Sequence, residues 1–199
     1  MRDGVREISL EIYERILSQS DEDVNEQKLT PRVKAGDVSP AILNLEEAFL
    51  KRPKVNKGKR GEGARPRYSK RSKEIGDWCE ELVVMDLKAR LTPLEADSIR
   101  WLAREGETPG WDIEYISSNE TKKRVEVKGT TAARFSSLEI TSNEWEAAKK
   151  HRGDYQIALV VNAMNGKEAL RYLEDPFEYF NQPSYCVEPS RYRISQFDE

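Results

Sequence analysis

The sequence predicts an α/β fold: a small β-sheet flanked by helices, preceded by a helical appendage and a basic linker. Three observations lead there. A length of 199 residues suits one such domain plus an extension. After residue 73 a helical apolar period gives way to segments that alternate or run almost continuously apolar, the pattern of helices mixed with strands. The net charge of −3 hides a segregation of charge: residues 51–73, between two acidic parts, hold eleven Lys and Arg and a single Glu. That stretch carries Gly and Pro and no hydrophobic period, so it reads as a flexible linker. The chain divides accordingly into an appendage (1–50), a linker (51–73) and a main domain (74–199).

In the appendage, Ile8, Ile12, Ile16 and Leu17 mark a short amphipathic helix. Ser39 and Pro40 start another, as N-cap and first helical residue, with Ile42, Leu45, Ala48 and Phe49 on its apolar face. Two short helices of this kind suit docking onto a partner or onto the main domain. The main domain opens with a helix from 75 to about 91, with Ile75, Trp78, Cys79, Leu82, Val83 and Met85 supplying apolar surface. Residues 99–102 can form a first strand, and 111–117 and 124–129 form a hairpin across a polar turn. Residues 135–140 alternate like a further strand. Thr141 and Glu144 fit a capping box for a helix running to about 150. Residues 155–162 are the near-continuous apolar run of a buried strand. Residues 170–173 pair beside it, until Asp175-Pro176 ends the element. The tail suits loop and edge-strand material, and no internal repeat is present.

Composition excludes several classes. No apolar run approaches the ~20 residues of a membrane-spanning helix, and no secretory signal is visible. Cys79 and Cys186 lie far apart among apolar neighbours, without metal-ligand spacing, which points to buried free thiols in a reducing cytoplasm. His151 is the single histidine, which argues against zinc sites and histidine-based catalysis and leaves a hard, oxygen-bound cation such as Mg²⁺. Gly58-Lys59-Arg60 lacks the Ser/Thr and the preceding strand of a phosphate-binding loop. A motor would therefore come from another subunit.

The candidate chemistry lies in the hairpin. An acid two residues before a lysine occurs at Glu26/Lys28, Asp86/Lys88, Glu120/Lys122 and Glu126/Lys128. Asp86 and Lys88 fall in a helical pattern, where residues two apart do not share a face. Glu26 sits in a polar stretch and Glu120 in the turn. Only Glu126 and Lys128 alternate with β-branched apolar residues, Val125 and Val127, so a strand projects the two charges together on one face. Only this copy follows an Asp, Asp112, on a plausible partner strand. Two carboxylates and an ammonium at a sheet edge can bind Mg²⁺ and activate a water for phosphodiester cleavage. The same residues would also make a half-exposed hairpin with a surface ion pair of little energetic weight.

The order of helix, three strands, helix and strand resembles the PD-(D/E)XK nuclease superfamily, which implies a restriction-endonuclease-like core with a small mixed sheet. Within it, residues 74–180 are similar to the domain named after the C-terminus of the plant protein NO VEIN, often appended to helicase-like, restriction or phage-defence proteins. The matching pieces are Ile75-Gly76-Asp77-Trp78-Cys79-Glu80-Glu81-Leu82-Val83, Gly110-Trp111-Asp112-Ile113, Val125-Glu126-Val127-Lys128 and Ile140-Thr141-Ser142-Asn143-Glu144-Trp145. The resemblance implies Asp112 and Glu126 as ligands of Mg²⁺, with Mn²⁺ as a possible substitute. It implies Lys128 as the group that orients water or stabilises transition-state charge, its place between carboxylates favouring the electrostatic role. Glu80, spaced from Gly76, matches the first-helix acid; Glu81 is the adjacent alternative. Glu144 recurs in the motif and is explained by its capping role. Thr130, Thr131, Ser142 and Asn143 could reach a phosphate, the last two from a helix N-terminus. Lys57, Lys59 and Arg60 in the linker could track a phosphate backbone. Trp111 and Trp145 suit the core, and His151 suits a helix end.

The expected function is a metal-dependent endonuclease module acting on DNA in a bacterial defence or restriction system. The alternative is a non-catalytic nucleic-acid-binding or scaffold subunit with a vestigial site. An ATPase, helicase or targeting subunit in trans would give residues 1–50 a role. A homodimer would suit double-strand cleavage, although no coiled-coil heptad specifies one.

Overall fold

The computed structural model describes residues 34–50, 70–185 and 187. In chain order its strands are β1 (Ala41–Ile42), β2 (Arg100–Trp101), β3 (Ile113–Ile116), β4 (Lys122–Gly129), β5 (Tyr155–Val161) and β6 (Ala169–Glu174). Its helices are α1 (Lys70–Arg90), α2 (Pro93–Asp97), α3 (Leu102–Glu105), α4 (Ser142–His151) and α5 (Pro176–Phe180). The strands join one sheet in the order β1-β6-β5-β4-β3-β2. β4 and β5 run parallel, as do β1 and β6; the other neighbours are antiparallel. The sheet is mixed and helices cover both faces, as expected of an α/β chain.

The apolar run of β5 is buried at all seven positions because the strand lies inside the sheet with a layer on each side. Its Ala158 and Val160 face a cluster built on α1, with Trp78, Cys79, Leu82, Val83 and Leu87. Its Tyr155, Ile157, Leu159 and Val161 face a second cluster that includes Ala147 and Ala148 of α4 and Phe180 of α5. The alternation in β4 follows the same rule. Val125 is fully buried on the α1 side, and Glu126 and Lys128 point to the α4 side. Met85, expected on the apolar face of α1, is 41 % exposed, and Val84 and Leu87 are buried instead.

Two expected elements differ. Ser39-Pro40 does not start a helix: Ala41 and Ile42 form a strand, with Ala41 N–H donating to Glu168 O (2.9 Å) and Leu43 N–H to Leu170 O (3.0 Å). Ile42, expected on the apolar face, is 86 % exposed and Leu43 is buried instead, while Ala48 is buried and Leu45 and Phe49 pack against the second cluster as expected. A helix this short is marginal by itself, so an open edge of β6 that satisfies its backbone wins. Residues 135–140 likewise form no strand. Phe135 makes one bridge to Phe49, its N–H going to Ala48 O and its carbonyl receiving Leu50 N–H. Phe135 is buried and Leu138 and Ile140 pack against the second cluster, so the alternation records a loop lying on the core without a ladder partner. Helix α1 begins at Lys70, inside the stretch read as linker.

The other elements stand as expected. Arg100–Trp101 supplies the early strand, β3 and β4 form the hairpin, β6 pairs with β5, and Thr141 and Glu144 close a reciprocal capping box on α4. The N-terminal helix around Ile8, the linker positions 51–69, Cys186 and the segment 188–199 lie outside the described residues. Among the described residues no helix is long and apolar enough to cross a membrane.

Candidate functional site

Gly110 sets the entry to β3. Its φ is +108°, and a Cβ there would lie 2.9 Å from Asn143 O and 3.1 Å from the Ala147 Cβ. Only glycine allows this conformation and this approach of the loop to α4. The buried Tyr155 hydroxyl donates to Gly110 O (2.8 Å), and Asn143 Nδ2 donates to Thr108 O (3.1 Å). The loop is thus fixed on both sides before the chain reaches Asp112.

The hairpin register pairs Ile113 with Val125 and Glu114 with Arg124, which by the same count sets Asp112 opposite Glu126. Asp112 N–H donates to Val125 O (3.1 Å), and its carbonyl receives Leu102 N–H (2.8 Å) and Ala103 N–H (3.3 Å). Its carboxylate Oδ2 accepts Val127 N–H (2.7 Å), and the Asp112 and Glu126 carboxyl groups lie within hydrogen-bonding reach of each other. Glu126 is buried, and its Oε1 lies 2.7 Å from Lys128 Nζ. The same ammonium lies 2.6 Å from Glu144 Oε2. Glu144 Oε2 also accepts Thr141 N–H (3.1 Å), so one carboxylate caps α4 and tethers Lys128. Glu80 comes from the opposite layer, on α1, where its Oε2 accepts Trp101 Nε1–H (2.7 Å). Glu81 turns toward Arg104 instead, at 3.9 Å.

The electrostatics follow from this crowding. Burial pushes the carboxyl groups of Asp112 and Glu126 above their usual range, and the charge of Asp112 adds to the rise at Glu126. Burial also raises Glu80 to about 7, with Asp112 adding to the rise and the Trp101 N–H opposing it. Burial pulls the Lys128 ammonium down, but Glu126 and Glu144 outweigh it and hold Lys128 protonated. Asp112, Glu126 and Glu144 therefore share one ammonium, and the Asp112–Glu126 pair is short of positive charge.

Among the described residues no three His, Cys, Asp or Glu side chains gather as a preformed metal cluster. The hydrogen bonds say why: Lys128 engages Glu126 and Glu144, and Trp101 engages Glu80. The Asp112–Glu126 pair still fits a hydrated divalent cation. It offers two adjacent oxygen donors whose mutual repulsion such an ion relieves, and Mg²⁺ commonly takes one or two carboxylates and keeps several waters.

The other predicted contacts disperse. Thr130 follows β4, bound through its backbone to Val160 O and Ala163 N, with its Oγ1 accepting Ala132 N–H (3.2 Å). Thr131 and Ser142 are exposed, and Asn143 is engaged with Thr108. Lys57, Lys59 and Arg60 lie outside the described residues. Trp111 donates its N–H to Glu114 Oε2 (3.1 Å) and meets the His151 ring edge-on; Trp145 packs on Phe177. A groove of about 400 Å³ opens beside Lys128, lined among others by Thr130, Arg134, Ser137, Leu138 and Leu50.

These features define a mixed α/β domain with an Asp–Glu–Lys cluster at the open end of its hairpin. Residues 79–173 match the family model described as Protein NO VEIN, C-terminal, a stretch that holds Glu80, Asp112, Glu126, Lys128 and Glu144. The chain has no significant match among curated proteins or among solved structures.

Proposed function

We propose that this chain is a metal-dependent endonuclease module that hydrolyses DNA phosphodiester bonds, built on a restriction-endonuclease-like core and serving bacterial defence. One observation carries the reading: a protonated Lys128 lies beside two mutually close, charge-starved carboxyl groups, Asp112 and Glu126, at the open end of one hairpin. Asp112 and Glu126 would hold Mg²⁺ or Mn²⁺, with Glu80 as a further acid from α1. Such an ion supplies Lewis acidity at the phosphoryl oxygen and a more acidic bound water.

The chain's own residues supply the rest. Val127 N–H fixes the Asp112 carboxylate over the strand. Lys128, charged between Glu126 and Glu144, acts as an electrostatic partner for charge that builds on the phosphate oxygens, since a group held protonated is a poor base. Glu144 keeps that ammonium from swinging into solvent, and the adjoining groove gives a flanking stretch of substrate a place to lie.

Plasmid and linear DNA incubated with Mg²⁺, Mn²⁺ or EDTA test the reading. Asp112→Asn keeps an acceptor for Val127 N–H and should fold, yet lose metal-dependent nicking. Lys128→Ala should lose it too, at a cost in stability of about 3 kcal/mol, the scale for leaving buried carboxylates without their cation. Nicking by either variant at the wild-type rate would sink the assignment. The eleven basic residues of 51–73 support a second reading, a nucleic-acid-binding or scaffold subunit whose cluster is only an ion pair. On that reading wild type and Asp112→Asn bind DNA equally and neither cuts.

A further inference from the structure

The segment Trp101–Ala103 touches two of the candidate acids, Asp112 and Glu80. The N–H groups of Leu102 and Ala103 hold the carbonyl of Asp112, and one residue earlier the Trp101 indole N–H donates to Glu80 Oε2 at 2.7 Å. The indole has little freedom. It packs against the core cluster under α1, and the Arg104 guanidinium covers its face at 3.8 Å from the ring centroid. Glu80, by contrast, is a long side chain on a helix and would lose about 2 kcal/mol of rotamer freedom if ordered without a partner. Its neighbour Glu81 shows the alternative, leaning out toward Arg104.

We infer that Trp101 is a positioning residue for Glu80: the indole N–H engages Oε2 and holds the carboxylate toward Asp112, leaving Oε1 for the divalent cation. The inference rests on reading the cluster as a cation site. It makes β2 part of that site, although no residue of β2 is an acid. Partners that orient ligand side chains typically change metal affinity by about tenfold or more when removed.

The test is a Mn²⁺ titration of the full chain, following free Mn²⁺ by electron paramagnetic resonance, with thermal unfolding of every variant beside it. Trp101→Phe keeps a ring in the core and removes the donor. Wild type should bind Mn²⁺, and Glu80→Gln and Trp101→Phe should each weaken binding by about tenfold. The double variant should be no weaker than Glu80→Gln, because the indole acts only through that carboxylate. Trp101→Phe binding like wild type, or losses that add in the double variant, overturns the inference and leaves the cation site standing. Wild type that binds no Mn²⁺ overturns the cation site and the inference with it. Wild type that binds Mn²⁺ but cuts no DNA fails the nuclease reading, while the variant comparison still decides the role of Trp101. If Trp101→Phe loses cooperative unfolding, the Trp101 Nε1–H resonance replaces it. That resonance should move on Mg²⁺ addition in wild type and stay fixed in Glu80→Gln; a resonance unmoved in wild type overturns the inference.

Discussion

Glu144 has two roles that one substitution can separate. Its Oε2 accepts Thr141 N–H in the capping box and Lys128 Nζ at 2.6 Å. Glu144→Gln keeps an acceptor for the cap and removes the charge that holds Lys128. Activity should fall by about tenfold, equivalent to 1.4 kcal/mol in the barrier, with the unfolding midpoint nearly unchanged. Glu144→Ala removes both, so it should lose similar activity and also about 1 kcal/mol of stability, the usual scale of a lost cap contact. Equal unfolding midpoints for the two variants would show that the cap carries no weight. The cluster itself was legible in the sequence because period-two alternation leaves no choice of face: with Val125 buried, Glu126 and Lys128 must share the other side. The Glu144–Lys128 contact was not legible. It depends on where α4 crosses the sheet, which no local pattern encodes. The indole bond of Trp101 to Glu80 was hidden for the same reason, being a contact between layers 21 residues apart.

Elements joined by local chemistry were easier to read than elements decided by packing. The Thr141–Glu144 box announced α4, and the same signature stands at Thr92 and Glu95, where it caps α2. No residue of α2 is buried, so the apolar period that exposes other helices is missing there. Glu95 also ties α2 to the hairpin turn, its Oε1 accepting the N–H (2.7 Å) and the hydroxyl (2.6 Å) of Ser118. Hydrogen bonds from Ser118 and Thr92 hold its carboxyl down to about 2. A depressed folded-state value stabilises the protein above the unfolded value and loses that contribution as pH falls toward the folded one. The gap in unfolding midpoint between wild type and Glu95→Gln should therefore be full at neutral pH and close between about pH 4.5 and 2. A gap that stays constant down to pH 2 would remove Glu95 from the account. Where α1 crosses β4, the contact is set by absence of a side chain. A Cβ on Gly129 would lie 2.2 Å from Cys79 Sγ, so Gly129→Ala should cost about 1–3 kcal/mol in denaturant unfolding, the range for overpacking a core. Beside it, Cys79→Ala should relieve much of that cost in the double variant, a coupling that independent sites would not show.

The path of the whole chain joins the basic stretch to the site. Residues 41–50, expected in a helix suited to docking onto a partner or onto the main domain, add β1 to the sheet edge, bury Leu43 and Ala48 in the second cluster and bridge Phe49 to Phe135. The tertiary alternative prevailed over local propensity because the edge of β6 and the apolar cluster were both available to it. The chain leaves these elements at Leu50, which lines the groove beside Lys128, and re-enters them at Lys70, the first residue of α1. The basic run is therefore tethered at one end next to the acidic cluster. A tethered cationic segment raises the local concentration of a polyanion at its anchor without needing a fixed geometry, and each phosphate it neutralises adds to the salt dependence of binding. Deleting residues 1–73 would confuse this effect with the loss of β1, so substitution is the cleaner probe. Replacing Lys57, Lys59 and Arg60 by alanine should weaken DNA binding at low salt and reduce the slope of log affinity against log salt by up to about three. Cleavage at saturating DNA should stay at the wild-type rate, because none of the three belongs to the Asp112–Glu126–Lys128 cluster. An unchanged salt slope would remove these three from the binding surface. A lower rate at saturation would mean that the basic run takes part in the cleavage step as well as in holding the substrate.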